Sequence, residues 1–379
     1  MQIPQVSPWL GEEEQAAAAQ AVADNWITEG PRCAAFSQQL NALMGAEYGV
    51  FAPNGTLALV LGLLALGIGP GDEVLIPDTT FIGSATAVAM VGATPVFVEV
   101  TRDTYQIDVA SCAQALTPRT RAVMPVHLYG MCADMGAVMA FARQHGLLVI
   151  EDAAQALGVR YQGKHAGTFG DVGCFSFFAD KTITTGEGGY VVCRDAAVHE
   201  RLRLLRNQGR LDRGSFIHPA VGYNFRITDM QAAVGLAQLA KLDEIIRRKR
   251  AILGWYAHDL ADLPEVQLLP VEPGSEHVPF RVIILANHAH DLMAHMGARG
   301  VQPRTFFYPL HRQPCFARLS RAQGGPLDLD DARFPNAIRG YERGVSLPVF
   351  PTLTREQVRY VCGAVRSFYR SDLALGAGA

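Results

Sequence analysis

The sequence contains no C-x-x-C pair, no apolar run long enough for a membrane and no extended basic tract. Its seven cysteines, at 33, 112, 132, 174, 193, 315 and 362, are odd in number and unpaired in spacing. That argues against a disulfide framework and a structural zinc site and fits a reducing, cytoplasmic compartment; no metal is expected. The most apolar run, LALVLGLLALGIG at 57–69, is too short to cross a bilayer and contains three glycines, so it reads as a buried helix and no membrane partner is expected. The opening MQIPQVSPWLGEEEQ has neither the basic nor the apolar region of a signal peptide. Basic residues are scattered apart from RRKR at 247–250, and the formal net charge is −3, so nucleic acid is not an expected partner. The RRKR run reads as the solvated face of a long helix.

What is present is a chain of 379 residues, beyond the size at which one core usually stops growing, with 49% apolar residues to build cores from. From about 48 to 193, seven short β-rich runs (YGVFAP, DEVLIP, PVFVEV, RAVMPV, LLVIED, GCFSFF and GGYVVC) alternate with helical patterns. This predicts an α/β domain around a largely parallel sheet covered on both faces. Residues 228–260 read as one long helix, capped by Thr228 or Asp229, that bridges two domains. A smaller α+β unit follows, which divides the chain into a large domain over 1–245 and a small one over 246–379. The last helix spans TREQVRYVCGAVRSFYR and precedes a frayed tail of small residues.

Ligands of an open parallel sheet bind at the carboxyl ends of its strands, so polar residues that directly follow apolar runs are the ones to collect. These are Asn54-Gly55-Thr56, Asp78 to Phe81, His127, Asp152, Gln155 and Ser176, with Lys181 following in FSFFADKTITTGEGG at 175–189. Gly55 and Thr56 lie where a strand turns into a helix, and free N–H groups there, with the Thr56 and Ser176 hydroxyls, suit a phosphate. Asp152 suits a protonated ring nitrogen, Phe81 offers a stacking face, and Lys181 supplies an amine between aromatic and glycine flanks. A phosphate, a ring nitrogen and an amine-reactive group together describe pyridoxal 5′-phosphate. Each residue alone has a plainer reading: Asp152 as a helix cap or ion-pair member, Gly55-Thr56 as a simple helix start, and His127 as a hydrogen-bonded core histidine.

Taken in order, NWITEGP, residues 54–88, MPVHLYG, VIEDAAQALG, FSFFADKTITTGEGG and GYNFRITDMQAAVG resemble the DegT-type (DegT/StrS) sugar aminotransferases over nearly the full length. These are fold type I, aspartate aminotransferase-like enzymes with a seven-stranded large domain and a smaller C-terminal one. The resemblance implies that Lys181 forms the internal aldimine, that Asp152 binds the pyridinium nitrogen and that Gln155 lies by the phenolic oxygen. It places Phe81 against the ring, with Gly55, Thr56 and Ser176 on the phosphate. Asn224 would reach the neighbouring subunit's cofactor, giving a homodimer with shared sites. Thr28, His127, Glu187, Arg226, Tyr308 and His311 are implied as substrate contacts, with Arg304 and the 206–219 loop as further pocket-wall candidates. Some relatives carry histidine for the lysine and act as dehydratases; lysine at 181 favours transamination through pyridoxamine phosphate. ADKTITTGEGG and HPAVGYNFRITDMQAA are most similar to the perosamine synthase branch, which aminates C4 of a GDP-linked 4-keto-6-deoxy sugar, as in O-antigen precursors. That branch often reads F-H-P where this chain has FFYPLH, with Tyr308 in the first histidine's place. Glutamate is the implied donor. Another keto sugar or a keto-cyclitol as acceptor, a sugar dehydratase and a non-catalytic regulatory protein stand as alternatives.

Overall fold

A computed structural model describes residues 1–210, 214, 216–320 and 326–376. The seven runs form one sheet: β1 (Tyr48–Ala52), β2 (Glu73–Pro77), β3 (Thr94–Val98), β4 (Thr120–Val123), β5 (Leu148–Asp152), β6 (Val172–Ser176) and β7 (Gly189–Cys193). Their spatial order is β1-β7-β6-β5-β4-β2-β3. Every residue of β2, β6 and β7 is buried, as expected of strands covered on both faces, and this explains why they read as unbroken apolar runs. The pairings β2–β3, β2–β4, β4–β5 and β5–β6 are parallel, whereas β7 is antiparallel to both β6 and β1. Two reversals restore direction, so β1 to β6 all point the same way. Their carboxyl ends therefore share one edge, and the functional residues gather there.

A second sheet is wholly antiparallel and contains β8 (Val266–Leu268), β9 (Val282–Ala286), β10 (Arg304–Thr305) and β11 (Gly344–Leu347), in the order β8-β9-β11-β10. It has its own apolar cluster, including Ile252, Tyr256, Ile284, Leu292, Val345 and Val365. Ile3 belongs to this cluster and pairs with Val301, so the first residues lie with the second core although the sequence division groups them with the large unit.

The region expected to be one helix over 228–260 is two, Asp229–Ala240 and Leu242–Asp259. At Lys241 the backbone N–H bonds back to Gln238 and Leu239, and the ammonium is drawn to Glu14 at 2.6 Å, with the Trp9 carbonyl 3.3 Å away. The apolar period runs on through this break, which is why the sequence shows none. Thr228 caps the first helix and forms a capping box with Gln231. Asp229 instead accepts from the N–H groups of Gly30, Arg32 and Cys33, at the start of helix Pro31–Met44. The second helix places Leu242 and Ile245 in the large core and Ile252 and Tyr256 in the small one. The final helix runs over Arg355–Gly376, past the expected end, and of the expected frayed tail residues 377–379 lie outside the described residues. Among the described residues no helix is long and apolar enough to cross a membrane.

Candidate active site

Helix Gly55–Ala65 starts where β1 ends, capped by the Asn54 side chain, which accepts from Leu57 N–H at 2.9 Å. Position 55 has no room for a side chain: a Cβ there would meet Ser176 Cβ at 2.8 Å and Oγ at 3.1 Å. Glycine thus brings the helix N-terminus against the Ser176 hydroxyl. The Thr56 hydroxyl lies on the other side, 2.9 Å from where a Gly83 Cβ would stand. The early N–H groups of the helix, its positive end and two hydroxyls make a cradle for an anion.

The cradle is part of the wall of a cavity of about 680 Å³ whose lining also includes Phe81, Asp152, Gln155, Lys181, Arg281 and Arg304. Asp152, at the end of β5, is 6% exposed. Its Oδ2 accepts from Ser84 Oγ at 2.6 Å and its Oδ1 from Ala154 N–H at 3.1 Å, so the carboxylate is fixed in orientation. Gln155 accepts from Tyr129 N–H at 2.7 Å, which leaves its NH₂ group for the cavity. Phe81 is 58% exposed, with its edge towards Phe307 at 6.4 Å, so a ring face is available.

Lys181 enters on a tight turn after β6, its N–H bonded to the Phe178 carbonyl. Its ammonium lies 4.4 Å from the Phe280 ring centroid and 3.8 Å from Asp180 Oδ1. Burial pushes its pKa down, the Asp180 and Asp152 carboxylates only partly oppose this, and Arg281 adds to the downward shift. The amine is therefore more readily neutral, hence nucleophilic, than an ordinary lysine's.

Thus Gly55, Thr56, Phe81, Asp152, Gln155, Ser176 and Lys181 are brought together, with the exposed Glu187 on the cavity wall. Other sequence candidates lie elsewhere. His127 is fully buried beneath the strand ends, bonded through Nε2 to Glu151 at 2.8 Å and accepting at Nδ1 from Ala133 N–H. His311 is also buried: Nδ1 meets Asp78 at 2.6 Å, Nε2 meets Asp331 at 3.0 Å, and the ring stacks on Phe334. Burial works against its cation, but the two carboxylates outweigh this and raise its pKa. Neither histidine lines the cavity, because each ring is already held by a carboxylate. Tyr308 also lies outside the lining, edge-on to Tyr341 at 5.0 Å. Thr28, Asn224 and Arg226 sit away from it on a surface where Arg226 Nε donates to Asn224 Oδ1 at 2.8 Å. Of the 206–219 loop, residues 211–213 and 215 lie outside the described residues.

The sequence reading missed Ser84, which holds Asp152, and Asp180, Phe280, Arg281 and Phe307 on the walls. A signal for Ser84 lies in GSATAV, a small polar residue opening the helix just after Phe81. It also missed Lys249. In the RRKR run Arg247 points outward, but Lys249 is 3% exposed, and burial, with Arg281 and Lys181 nearby, lowers its pKa to about 8. The run is a solvated face with one lysine turned inward.

The cradle, fixed carboxylate, stacking face and buried amine match the parts of pyridoxal 5′-phosphate, and this combination defines the site of a pyridoxal phosphate enzyme on a doubly covered sheet. The chain belongs to the DegT/DnrJ/EryC1/StrS aminotransferase family, whose profile matches residues 8–366. It is 38% identical to the GDP-perosamine synthase of Escherichia coli O157:H7 over 371 residues, 97% of this chain and 98% of that protein. It is 41% identical to a UDP-N-acetyl-3-dehydro-alpha-D-glucosamine 3-aminotransferase of Acidithiobacillus ferrooxidans, covering 88% and 87%. Among solved structures, DesV of S. venezuelae superposes with a TM-score of 0.90 at 37% identity, covering 97% and 98%. The PLP form of a putative sugar aminotransferase, Spr1654 of Streptococcus pneumoniae, gives 0.90 at 25% identity, covering 97% and 98%.

Proposed function

We propose that the protein is a pyridoxal phosphate-dependent aminotransferase that moves an amino group, from L-glutamate, to the ketone of a nucleotide-linked 4-keto-6-deoxy sugar. The observation that carries this is the meeting of Lys181 and Asp152 in one cavity that also holds the Gly55, Thr56 and Ser176 cradle. When bound, the cofactor supplies an aldehyde and an electron-accepting ring that carries the amino group between the two substrates. Gly55, Thr56 and Ser176 would hold its phosphate, Asp152 would keep a proton on its ring nitrogen, Gln155 would donate to its phenolic oxygen, and Phe81 would offer a face to the ring. Lys181 Nζ would hold the group at its aldehyde carbon and, once released, would be the base and acid that moves a proton at the donor's α-carbon.

The acceptor class draws support from relatives whose names state nucleotide sugars, GDP-perosamine synthase among them. The 3-aminotransferase relative, at 41% identity, supports a second reading in which C3 of a UDP sugar is the carbon aminated. We further infer a homodimer in the cytoplasm, in which Asn224 approaches the partner's cofactor and Thr28, Glu187 and Arg226 border the acceptor. Trp26, Ile27, Phe216 and Val221, on segments around Asn224, are 47%, 55%, 86% and 88% exposed, an apolar surface that a second copy would cover. The division into 1–245 and 246–379 remains our domain assignment, save for the first residues.

The deciding experiment loads the protein with pyridoxal phosphate, adds an amino donor, then offers GDP-, UDP- and dTDP-linked keto sugars. The expected result is loss of the visible absorption with donor, its return with one sugar, and a product in which the ketone oxygen has become an amine by mass. No spectral change with any donor sinks the assignment.

A further inference from the structure

The cavity has a second site for negative charge besides the phosphate cradle. Arg281, just before β9, and Arg304, on β10, both line it. Of the carboxylates on the same walls, Asp152 is held by Ser84 and Ala154, and Glu187 is exposed. Asp180 takes one Arg281 bond, at 2.8 Å to Nη2. Arg281 is only 7% exposed, yet its Nη1 has no partner. The Arg304 side chain makes no hydrogen bond or ion pair among the described residues, and its charge bears directly on Arg281. Arg281 thus has one carboxylate partner and one buried, unmet Nη1, and with Arg304 lining the same cavity this leaves a demand for an anion that the described residues do not meet.

We propose that Arg304, backed by Arg281, binds the carboxylate of the amino donor. The assignment rests on the transamination reading and adds the residues that recognise the donor. Guanidinium and carboxylate are matching planar groups that pair by two parallel hydrogen bonds. Position selects the donor over the acceptor. The Phe280 ring lies 4.4 Å from the Lys181 amine and 4.7 Å from the Arg281 guanidinium, and Arg304 lines the same cavity, so a carboxylate held there shares one cavity with the reacting amine. An amino acid carries its carboxylate one bond from the carbon that bears the amine. A nucleotide sugar carries its diphosphate across the sugar ring from a C4 ketone, too far to occupy the same place while reacting.

The test uses the pyridoxal phosphate-loaded protein, with glutarate, a non-reacting dicarboxylate, as probe in calorimetry. Arg304→Gln should weaken glutarate binding by about tenfold or more and raise KM for glutamate to match, with KM for the nucleotide sugar unchanged. Arg304→Lys should recover part of the binding. Because Arg304 is exposed, folding is expected to survive, and an unchanged circular dichroism melt checks this. Glutarate binding equal to wild type in Arg304→Gln, or a rise in the sugar's KM alone, overturns the proposal. Arg304-dependent glutarate binding in a protein that transfers no amino group upholds the carboxylate site and sinks the transamination reading instead.

Discussion

Glu151 and Asp180 are both enclosed carboxylates with cations beside them, but their surroundings differ. Glu151 accepts from the backbone N–H groups of Gly167, Phe169 and Gly170 and meets His127 Nε2, and the histidine's other nitrogen is taken by Ala133. Burial alone would raise its pKa; His127 and the backbone donors reverse this and hold it below the ordinary range. Around Asp180, Oδ1 has no hydrogen bond, Arg281 Nη1 is unmet, and Lys181 and Lys249 both lie within its electrostatic reach. The first cluster is saturated and serves the fold. The second keeps unmet demands beside a cavity, as expected where ligands complete the bonding.

The contrast can be broken at either cluster. Lys181→Ala removes the amine itself, and turnover should fall by at least about 10³-fold, read in steady-state kinetics, while the urea midpoint holds or rises. Glu151→Ala acts on the saturated side: it strands a buried histidine and three N–H groups, and urea titration should show a loss of about 3–5 kcal/mol. Lys249→Met should do the reverse in cofactor-free protein. With a folded pKa of about 8 against an ordinary 10.5, the unfolded chain binds more protons between those values, so this lysine costs stability most below pH 8 and the cost fades as pH rises to 10.5. The substitution should therefore raise the unfolding free energy from urea titration at pH 7, by up to roughly 3 kcal/mol, and by little near pH 11. Ser84→Ala, which frees one Asp152 oxygen, should lower turnover by about tenfold with the melt unchanged.

All seven strands of the main sheet were legible, because burial on both faces writes them as apolar runs ended by polar residues. The same rule collected the cavity residues at the common strand edge, and it also swept in His127, since a polar residue after a strand reads alike whether it faces a ligand or a buried glutamate. The pairing of His311 with Asp78, 233 positions away, is likewise one that no local pattern shows. Lys249 shows the limit of charge patterning: four consecutive bases on a helix cannot all face water, since successive residues turn by about 100°. Arg281 gave no signal, as it directly precedes a strand and its partner lies 101 positions away.

One helix, Leu242–Asp259, has side chains in both apolar clusters. Neither cluster can melt without exposing one end of that rod, and the break at Lys241 lies outside it. Thermal unfolding is then shared: calorimetry should record a single endotherm for the two lobes, and a helix-breaking Gly254→Pro should divide it into two.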